Sequence, residues 1–522
     1  MTYKHSYLAL AIAASIGLGG CFGSSNSANP DTSVPDVVVP PAKAPTADIR
    51  VVGNVVDTAT GDVIDATLTF LTNGAQTDEV RLLDDDLTRV SSLSTESGNF
   101  SFGLDSATTT LDTLTILVEA DGYLDKTVNF DVANAPQDSE LAFVLTSTNT
   151  AGITAVVENK TVTTGTVVEA IVVEAVATTG AAEVTVPAGV ELQDASGAAV
   201  TGDITIEVVS VDTDSASEDA VAVSDTLPAG LQDATSEEVF EPVGAVTINL
   251  TNADGTPIKQ FSSPITVVMQ IPESRGVNTG DELTLKSYDE RTGTWVTETE
   301  TVSVGTLANG FYPGTFQISS LSIKAAGKPV ANDKCTATST VNFTGDAVQS
   351  GMVFNMSRTI SGTQTQTLTA AQAQITFDDT QSASETAKIT VKDKAGNVWG
   401  SVTEAAICGT VEVALSAPFT YVSEDVSVFA SCSNDPTIVT DDDSATVSYR
   451  QAGTAKAFSF AANQGGGIYN LDDLISGATY DVLVNSGIAG VADYTVQITA
   501  DGTPEDASVN QACSIATGTG AG

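Results

Sequence analysis

The sequence predicts an all-β protein of tandem β-sandwich modules, which follow a cleaved signal peptide and a disordered tether. Thr, Val, Ala, Ser, Gly and Asp dominate the composition, and long stretches of Leu, Glu and Lys are absent. These residue types favour strands and turns over helices. Short alternating runs such as Ile49–Asp57 recur between turn signals, as expected for half-buried strands. The 522 residues suffice for about three to five such domains.

Residues 1–20 have the pattern of an export signal. Lys4 precedes an apolar run, Tyr7–Leu18, which is too short to span a bilayer. Leu18-Gly19-Gly20-Cys21 then resembles the lipobox of bacterial lipoproteins. The resemblance implies that Cys21 becomes the first residue and carries diacylglycerol and a further acyl group, a stable membrane anchor. An ordinary signal peptide with a coincidental cysteine is the alternative.

The residue after Cys21 is Phe22 rather than Asp. By analogy with lipoprotein sorting, this implies the cell outer membrane, with the protein either periplasmic or surface-exposed. Residues 21–48 then contain five prolines among Ser, Asn and Asp, which predicts a semi-extended tether without a core.

Residues 49–147 are predicted to form a small β-sandwich. Gly61 and Gly98 suit tight turns that need a positive φ. The region resembles the carboxypeptidase regulatory-like (transthyretin-like) domain, which implies a non-catalytic accessory fold. The segments that carry this resemblance are Gly53–Asp57, Thr60-Gly61, Asp65-Ala66, Thr95–Phe100 and Val118–Tyr123.

Residues 151–327 predict a larger β-sandwich region. Its motifs resemble ZU5/UPA-like or cartilage-intermediate-layer-type extracellular sandwiches, which are structural or interaction modules. These motifs are Val186–Val190, Gly202–Val208, Pro242–Leu250, Ser263–Pro272 and Tyr288–Val296.

Two smaller sandwiches are predicted at 331–415 and 416–513, before a flexible tail at 514–522. The cysteines after Cys21 are Cys335, Cys408, Cys432 and Cys513, and four cysteines allow three pairings. Module spacing favours Cys335–Cys408 and Cys432–Cys513, because an exported chain supports disulfides. Free thiols are the alternative.

The charge and the histidine content exclude several classes of function. The formal net charge of -46 repels nucleic acid and anionic lipid head groups. His5 is the only histidine and lies in the predicted signal peptide, so the mature chain cannot form a Ser-His-Asp centre or an imidazole zinc site. Nucleophile-elbow and phosphate-loop motifs are also absent. The sequence therefore predicts a protein that is not an enzyme.

Acidic clusters are the candidate metal sites, because calcium prefers loops rich in oxygen ligands. The candidate calcium ligands are Asp212, Asp214, Asp441, Asp442 and Asp443. Neither cluster follows EF-hand spacing, and a solvated loop is the alternative. No other cofactor is predicted.

Together these features predict a rod of modules anchored to the outer membrane, acting as a non-catalytic scaffold for binding or adhesion. Its expected partners are the membrane, through the lipid, and protein or glycan ligands; nucleic acid is excluded. The alternatives are an envelope spacer without a ligand and an accessory subunit of a carbohydrate- or peptide-processing system.

Overall fold

The computed structural model of the chain describes residues 37–43, 47–83, 86–105, 111–163, 165–175, 182–194, 197–213, 226–228, 231, 238–254, 257–331, 335–358, 362–377, 386–394 and 396–516. Strands dominate these ranges, and a 3-10 helix lies at Glu273–Arg275. This architecture confirms the predicted all-β class with tandem modules. Within the same ranges, no helix has the length and apolarity needed to cross a bilayer.

The first strand, β1 (Val37–Val38), precedes module 1, residues 47–147. The strands of module 1 are β2 (Ile49–Asp57), β3 (Thr67–Thr72), β4 (Ala75–Gln76), β5 (Val80–Arg81), β6 (Arg89–Val90), β7 (Ser92–Ser94), β8 (Asn99–Leu104), β9 (Thr113–Glu119), β10 (Lys126–Asp131) and β11 (Asp138–Leu145). One sheet has the order β10-β9-β3-β4 with β7 beside β3, and the other has the order β11-β2-β8-β5-β6. Alternate residues such as Val51, Phe70 and Phe102 fill the core between the sheets.

Two glycines of module 1 have the backbone conformation that the sequence predicts. Gly61 and Gly98 have φ angles of 69° and 74°. At Gly98 a Cβ atom would also lie 2.5 Å from the side chain of Val63. The Gly61 turn is braced by Asp57, whose Oδ1 accepts hydrogen bonds from the amides of Ala59 and Thr60 at 2.8 Å.

Module 2, residues 151–331, is one antiparallel sheet. Its strands are β12 (Ile153–Val162), β13 (Ile171–Ala175), β14 (Ala182–Val186), β15 (Leu192–Asp194), β16 (Gly202–Val211), β17 (Glu238–Asn252), β18 (Ile258–Pro272), β19 (Glu282–Asp289), β20 (Thr294–Val304), β21 (Phe311–Ser320) and β22 (Ile323–Ala331). The 11-stranded order is β12-β16-β17-β22-β19-β20-β21-β18-β14-β13, with β15 beside β18. Val173 near one end of the sheet and Ile206 near the other share a single core, so the sheet folds over on itself.

Module 3, residues 335–415, has two sheets. Its strands are β23 (Ser339–Gly345), β24 (Val353–Arg358), β25 (Gly362–Thr367), β26 (Gln374–Phe377), β27 (Thr386–Lys392), β28 (Val398–Ala406) and β29 (Thr410–Leu415). The orders are β26-β23-β29 and β25-β24-β27-β28. Asp393 begins the turn between β27 and β28, and its buried carboxylate accepts hydrogen bonds from the amide of Asn397, the indole of Trp399 and the hydroxyl of Tyr421.

Module 4, residues 421–516, repeats the two-sheet plan. Its strands are β30 (Tyr421–Cys432), β31 (Asp435–Asp441), β32 (Thr446–Gln451), β33 (Ser459–Phe460), β34 (Ala462–Gly465), β35 (Ile468–Ile475), β36 (Thr479–Asn485), β37 (Tyr494–Thr499), β38 (Glu505–Gln511) and β39 (Ile515–Ala516). One sheet is β31-β30-β35-β34 with β38 beside β30, and the other is β33-β32-β36-β37.

Modules 1, 3 and 4 share a topology that their sequences do not reveal. In each module a late strand runs parallel to the first: β11 beside β2, β29 beside β23, and β38 beside β30. A parallel pair places the entry and exit of the chain at opposite ends of the module. This arrangement suits modules that follow one another along a chain.

Two disulfides lock the first and late strands of modules 3 and 4. Cys335–Cys408 joins the residues just before β23 and β29. Cys432–Cys513 joins the end of β30 to the residues just after β38. This is the pairing that the module spacing favours, and each bridge closes a long loop, which is worth about 2–4 kcal/mol in a small module.

Candidate functional site

The predicted lipidation site, Cys21, lies outside the described residues. Residues 37–43, at the end of the predicted tether, are described, and we call them the N-terminal strap. The strap is not a free spacer. It lies along module 4, where Val37 pairs with Ala516 and Val38 with Ile515 in an antiparallel ladder.

The strap continues along module 4 through its backbone and one side chain. The carbonyl of Ala42 accepts a hydrogen bond from the amide of Ala489 at 2.9 Å. Lys43 pairs as a backbone bridge with Ile488, and its ammonium lies 2.5 Å from the carboxylate of Asp443. Lys43 is the only cation between Cys21 and Arg50, so this contact uses the single positive charge of the predicted tether.

The candidate calcium ligands Asp441, Asp442 and Asp443 are not brought together. The Asp442 carboxylate is buried and accepts hydrogen bonds from the Ser486 hydroxyl and the Gly487 amide. Asp443 pairs instead with the strap, and Asp441 is exposed. Asp441 is the last residue of β31, and Asp442 and Asp443 lie beyond the strand, where their carboxylates meet different partners.

The second calcium candidate, Asp212 and Asp214, is described only in part. Asp212 is buried directly after β16, and Asp214 lies outside the described residues. In the part of the chain that the structure describes, no group of three or more Asp, Glu, Cys or His side chains could hold a metal ion.

Modules 1 and 4 are in direct contact, so the expected rod is wrong. Lys456 of module 4 forms an ion pair with Asp62 at 2.8 Å and donates a hydrogen bond to the carbonyl of Thr60 at 2.6 Å. The Arg50 guanidinium donates a hydrogen bond to the carbonyl of Ser444 at 2.8 Å. The chain therefore folds back, because the turn of module 1 and its first strand both offer polar partners to module 4.

The junction of modules 1 and 2 concentrates carboxylates around one lysine. Lys259 of module 2 lies 3.1 Å from Glu290, which faces Glu119 and Asp125 of module 1. Burial, with repulsion from Glu290, raises the pKa of Glu119. Burial and the neighbouring Glu119 and Glu290 carboxylates raise the pKa of Asp125 well above its usual value, while Lys259 opposes the shift.

Backbone contacts align the same junction. The hydroxyl of Thr127 in β10 donates to the carbonyl of Glu290 at 3.2 Å, and the Tyr288 hydroxyl donates to the carbonyl of Thr127 at 3.4 Å. Burial raises the pKa of Tyr288 to about 12, so this hydroxyl remains a donor at neutral pH.

The junction of modules 3 and 4 also centres on one lysine. Lys394 lies 3.9 Å from Asp472, and its charge acts on Asp473 and on Glu140 of module 1. Burial raises the pKa of Asp473 to about 6, with repulsion from Asp472 opposed by Lys394. The ammonium of Lys394 in module 3 thus attracts carboxylates of module 4 and of module 1.

A buried polar group in module 2 is the strongest candidate for chemistry. Lys324 is 1% exposed, and its ammonium lies 2.6 Å from the Ser287 hydroxyl and 3.5 Å from the Glu298 carboxylate. Burial lowers the pKa of Lys324 below its usual value, and the attraction of the Glu298 carboxylate only partly opposes this shift. Ser287 also bonds to Glu298 and is itself buried. The group satisfies its own hydrogen bonds inside the sheet, as buried structural networks do.

A small cavity lies elsewhere, in module 3. Val341, Met356, Phe377 and Ile389 are among its lining residues, and it is too narrow to admit a water molecule. It is a small packing defect of an apolar core rather than a ligand site.

Sequence reasoning missed the module junctions. The available signal was the scarcity of positive charge, with 20 Lys and Arg residues against 66 Asp and Glu. In so acidic a chain, acidic surfaces meet only where a cation relieves their repulsion. Lys43, Lys259, Lys394 and Lys456 all lie at such places.

Comparison with known proteins gives no family. No protein-family model matches the chain, and no curated protein matches it.

Among solved structures, the minor pilin GBS52 of Streptococcus agalactiae is 9% identical with a TM-score of 0.19, over 34% of this chain and 97% of that one. The major pilin BcpA of Bacillus cereus is 10% identical with a TM-score of 0.14, over 89% and 99%. Two B repeats of the collagen-binding protein of Staphylococcus aureus are 9% identical with a TM-score of 0.13, over 87% and 97%. At such low scores the similarity carries no argument about this chain.

Proposed function

We propose that the chain is a non-catalytic lipoprotein that acts as a binding or adhesion scaffold at the cell outer membrane. The observation that carries the proposal is the set of charged, hydrogen-bonded junctions that join four β-sandwich modules into one body. Rigid scaffolds of this kind present loops and sheet faces to partners, whereas catalysis needs convergent groups in an open cleft.

The strap refines how such a scaffold would be anchored. It ties the start of the described chain to module 4, so only residues 22–36 separate the predicted lipid from the folded body. Fifteen residues span at most about 50 Å. The body would then be held close to the membrane through modules 1 and 4, which argues against a simple extended spacer.

Membrane fractionation of cells that express the natural chain or Cys21→Ser tests the anchor. The natural chain should sediment with outer membranes, and Cys21→Ser should be soluble with an unchanged circular dichroism spectrum. Sedimentation of Cys21→Ser with the outer membrane would overturn the lipid anchor.

Binding of the purified mature chain to a panel of immobilised glycans and proteins tests the scaffold role. Saturable binding to a subset of the panel is the expected result. Absence of binding to every member would remove the binding function and leave the spacer alternative.

A further inference from the structure

One face of module 3 carries two lysines that form no ion pair or hydrogen bond with the described residues. Of the eleven lysines in the described chain, nine contact a carboxylate or a backbone carbonyl. Lys388 and Lys392 are exposed and have no such partner among the described residues. In a chain with 20 cations and 66 acidic residues, two unused lysines on one strand are a distinct feature.

Strand alternation places both lysines on the same surface. Ala387, Ile389 and Val391 of β27 are buried in the core, so Lys388, Thr390 and Lys392 face outward. Their Cα atoms are four residues apart along an extended strand, a distance of about 13 Å.

The neighbouring strands extend this surface with uncharged polar groups. Ser357 of β24 pairs with Lys388, and Asn355 pairs with Thr390 and with Thr365 of β25. The Asn355 amide donates to the Thr365 hydroxyl at 3.4 Å, which confirms that they share a face. We call this surface the lysine face; it consists of Asn355, Ser357, Thr365, Lys388, Thr390 and Lys392.

The charge of the lysine face comes from Lys388 and Lys392. Its other members, Asn355, Ser357, Thr365 and Thr390, are uncharged. Module 3 is also less acidic than module 4: residues 335–415 contain four cations and seven acidic residues, and residues 416–516 contain two and thirteen. The field of the remaining chain is screened beyond about 8 Å at physiological salt, so this local charge can attract an anionic partner.

We propose that the lysine face binds an acidic polysaccharide, a polymer that combines sugar hydroxyls with carboxylate or sulfate groups. The ammonium groups would pair with the anionic groups, and Asn355, Thr365 and Thr390 offer hydrogen bonds to hydroxyls. The proposal rests on the proposed binding function and names its ligand class.

Other acidic partners fit the lysine face less well. A protein interface needs a desolvated core of aromatic or apolar anchors, and this face has none. Nucleic acid carries one charge about every 1.7 Å and binds through many cations, whereas this face offers two cations about 13 Å apart. A sparsely charged, hydroxyl-rich polymer matches both features.

The test uses the mature full-length chain and alginate, a polymer with one carboxylate on each sugar. Titration calorimetry should detect binding that weakens as salt is added, while neutral dextran should not bind. Lys388→Thr/Lys392→Thr should weaken alginate binding about tenfold, since two charge contacts are lost. Thr suits an exposed strand position, so the melting temperature should not change.

The matched control is Lys160→Thr/Arg89→Thr, which makes the same change in net charge at two exposed ion pairs. Its alginate affinity should stay within about twofold of the natural chain. Equal loss in the control and the lysine-face variant would overturn the proposal, as would absence of alginate binding. Tighter binding of polyglutamate than of alginate would assign the face to an acidic protein instead and would equally overturn it.

Failure of this inference can be separated from failure of the proposed function. If the natural chain binds members of the ligand panel and the lysine-face variant binds them equally well, only the inference fails. If the natural chain binds no member, the proposed function fails with it.

Discussion

At the scale of single residues, the protein uses its few lysines as partners for crowded carboxylates. Lys394 faces Asp472 and Asp473, and Lys259 faces Glu290, Glu119 and Asp125. Burial and nearby like charges raise the pKa values of Asp473, Glu119 and Asp125, because both effects disfavour ionisation. Their substitution should therefore have effects that depend on pH.

Asp473→Asn should stabilise the protein at neutral pH by about 1 kcal/mol, a value discounted for partial exposure. Asp473 has a raised pKa of about 6 and a φ of 56°, a conformation that Asn also tolerates. Since the folded pKa exceeds the unfolded one, the carboxyl favours folding below about pH 4, and this contribution is lost as the pH rises through about 6.

Urea unfolding at pH 4 and pH 7.5 measures this effect. The gain from Asp473→Asn should be present at the higher pH and absent at the lower. The control Asp506→Asn removes a charge at an exposed position of β38 and should be neutral at both. A gain of equal size at both pH values would contradict the assigned titration.

The buried Lys324 gives a second prediction at this scale. Glu298→Ala should cost about 2 kcal/mol, because it leaves a buried ammonium without its carboxylate. Lys324→Met should stay within about 1 kcal/mol of the natural chain, since a well-packed apolar side chain can replace a buried charge.

Thermal unfolding of the two variants distinguishes these outcomes. Glu158→Ala, which breaks the exposed pair with Lys160, is the control and should cost about 0.5 kcal/mol or less. A larger loss for Lys324→Met than for Glu298→Ala would show that the lysine is more than a charge partner.

At the scale of elements, the strap is the clearest addition to the sequence-based picture. Proline content predicts an extended conformation for residues 21–48, and residues 37–43 are indeed extended, but they lie against module 4. An extended segment exposes backbone donors and acceptors, and in module 4 these meet the short strand β39 and the backbone of Ile488 and Ala489.

Asp443→Asn should loosen the strap by removing the partner of Lys43. Trypsin cleaves after lysine, so cleavage after Lys43 should accelerate about twofold to fivefold, the effect of one partly exposed ion pair on a local opening equilibrium.

Mass spectrometry of timed digests measures the cleavage after Lys43. Asp441→Asn makes the same charge change at an exposed neighbour and should leave the rate unchanged. Equal rates in Asp443→Asn and the natural chain would mean that the backbone contacts alone hold the strap.

At the scale of the whole molecule, four modules form one body around module 1. Module 1 contacts module 2 through hydrogen bonds of Thr127 with Glu290 and Tyr288, and it contacts module 4 through Lys456 and Arg50. In a chain of net charge -46, repulsion between acidic surfaces makes their packing unfavourable in free energy unless cations lie between them. The junction lysines Lys394 and Lys456 supply such cations between modules.

Lys259→Ala should destabilise the protein by about 1 kcal/mol at pH 7.5, because no positive charge then compensates the mutual repulsion of Glu290, Glu119 and Asp125. Lowering the pH protonates the groups with raised pKa values, so the difference should shrink towards pH 4.

Calorimetric melting across this pH range tests the junction. Lys160→Ala removes a lysine that pairs only within its own strand and should show no such pH dependence. A pH-independent loss in Lys259→Ala would indicate that packing, rather than charge, holds modules 1 and 2 together.

The amino-acid sequence by itself determined the all-β class and the turns at Gly61 and Gly98, and it favoured the disulfide pairing that the structure contains. Each follows from local pattern: strand alternation, the need for a positive φ, and the spacing of cysteines. Only the tertiary structure decided the single 11-stranded sheet of module 2, the shared parallel strands, the docked strap and the contact of module 1 with module 4. These features depend on which segments meet across long stretches of the chain, which local pattern does not specify. For the same reason Asp442 and Asp443 are adjacent in sequence but have different partners in space, Ser486 for Asp442 and Lys43 for Asp443.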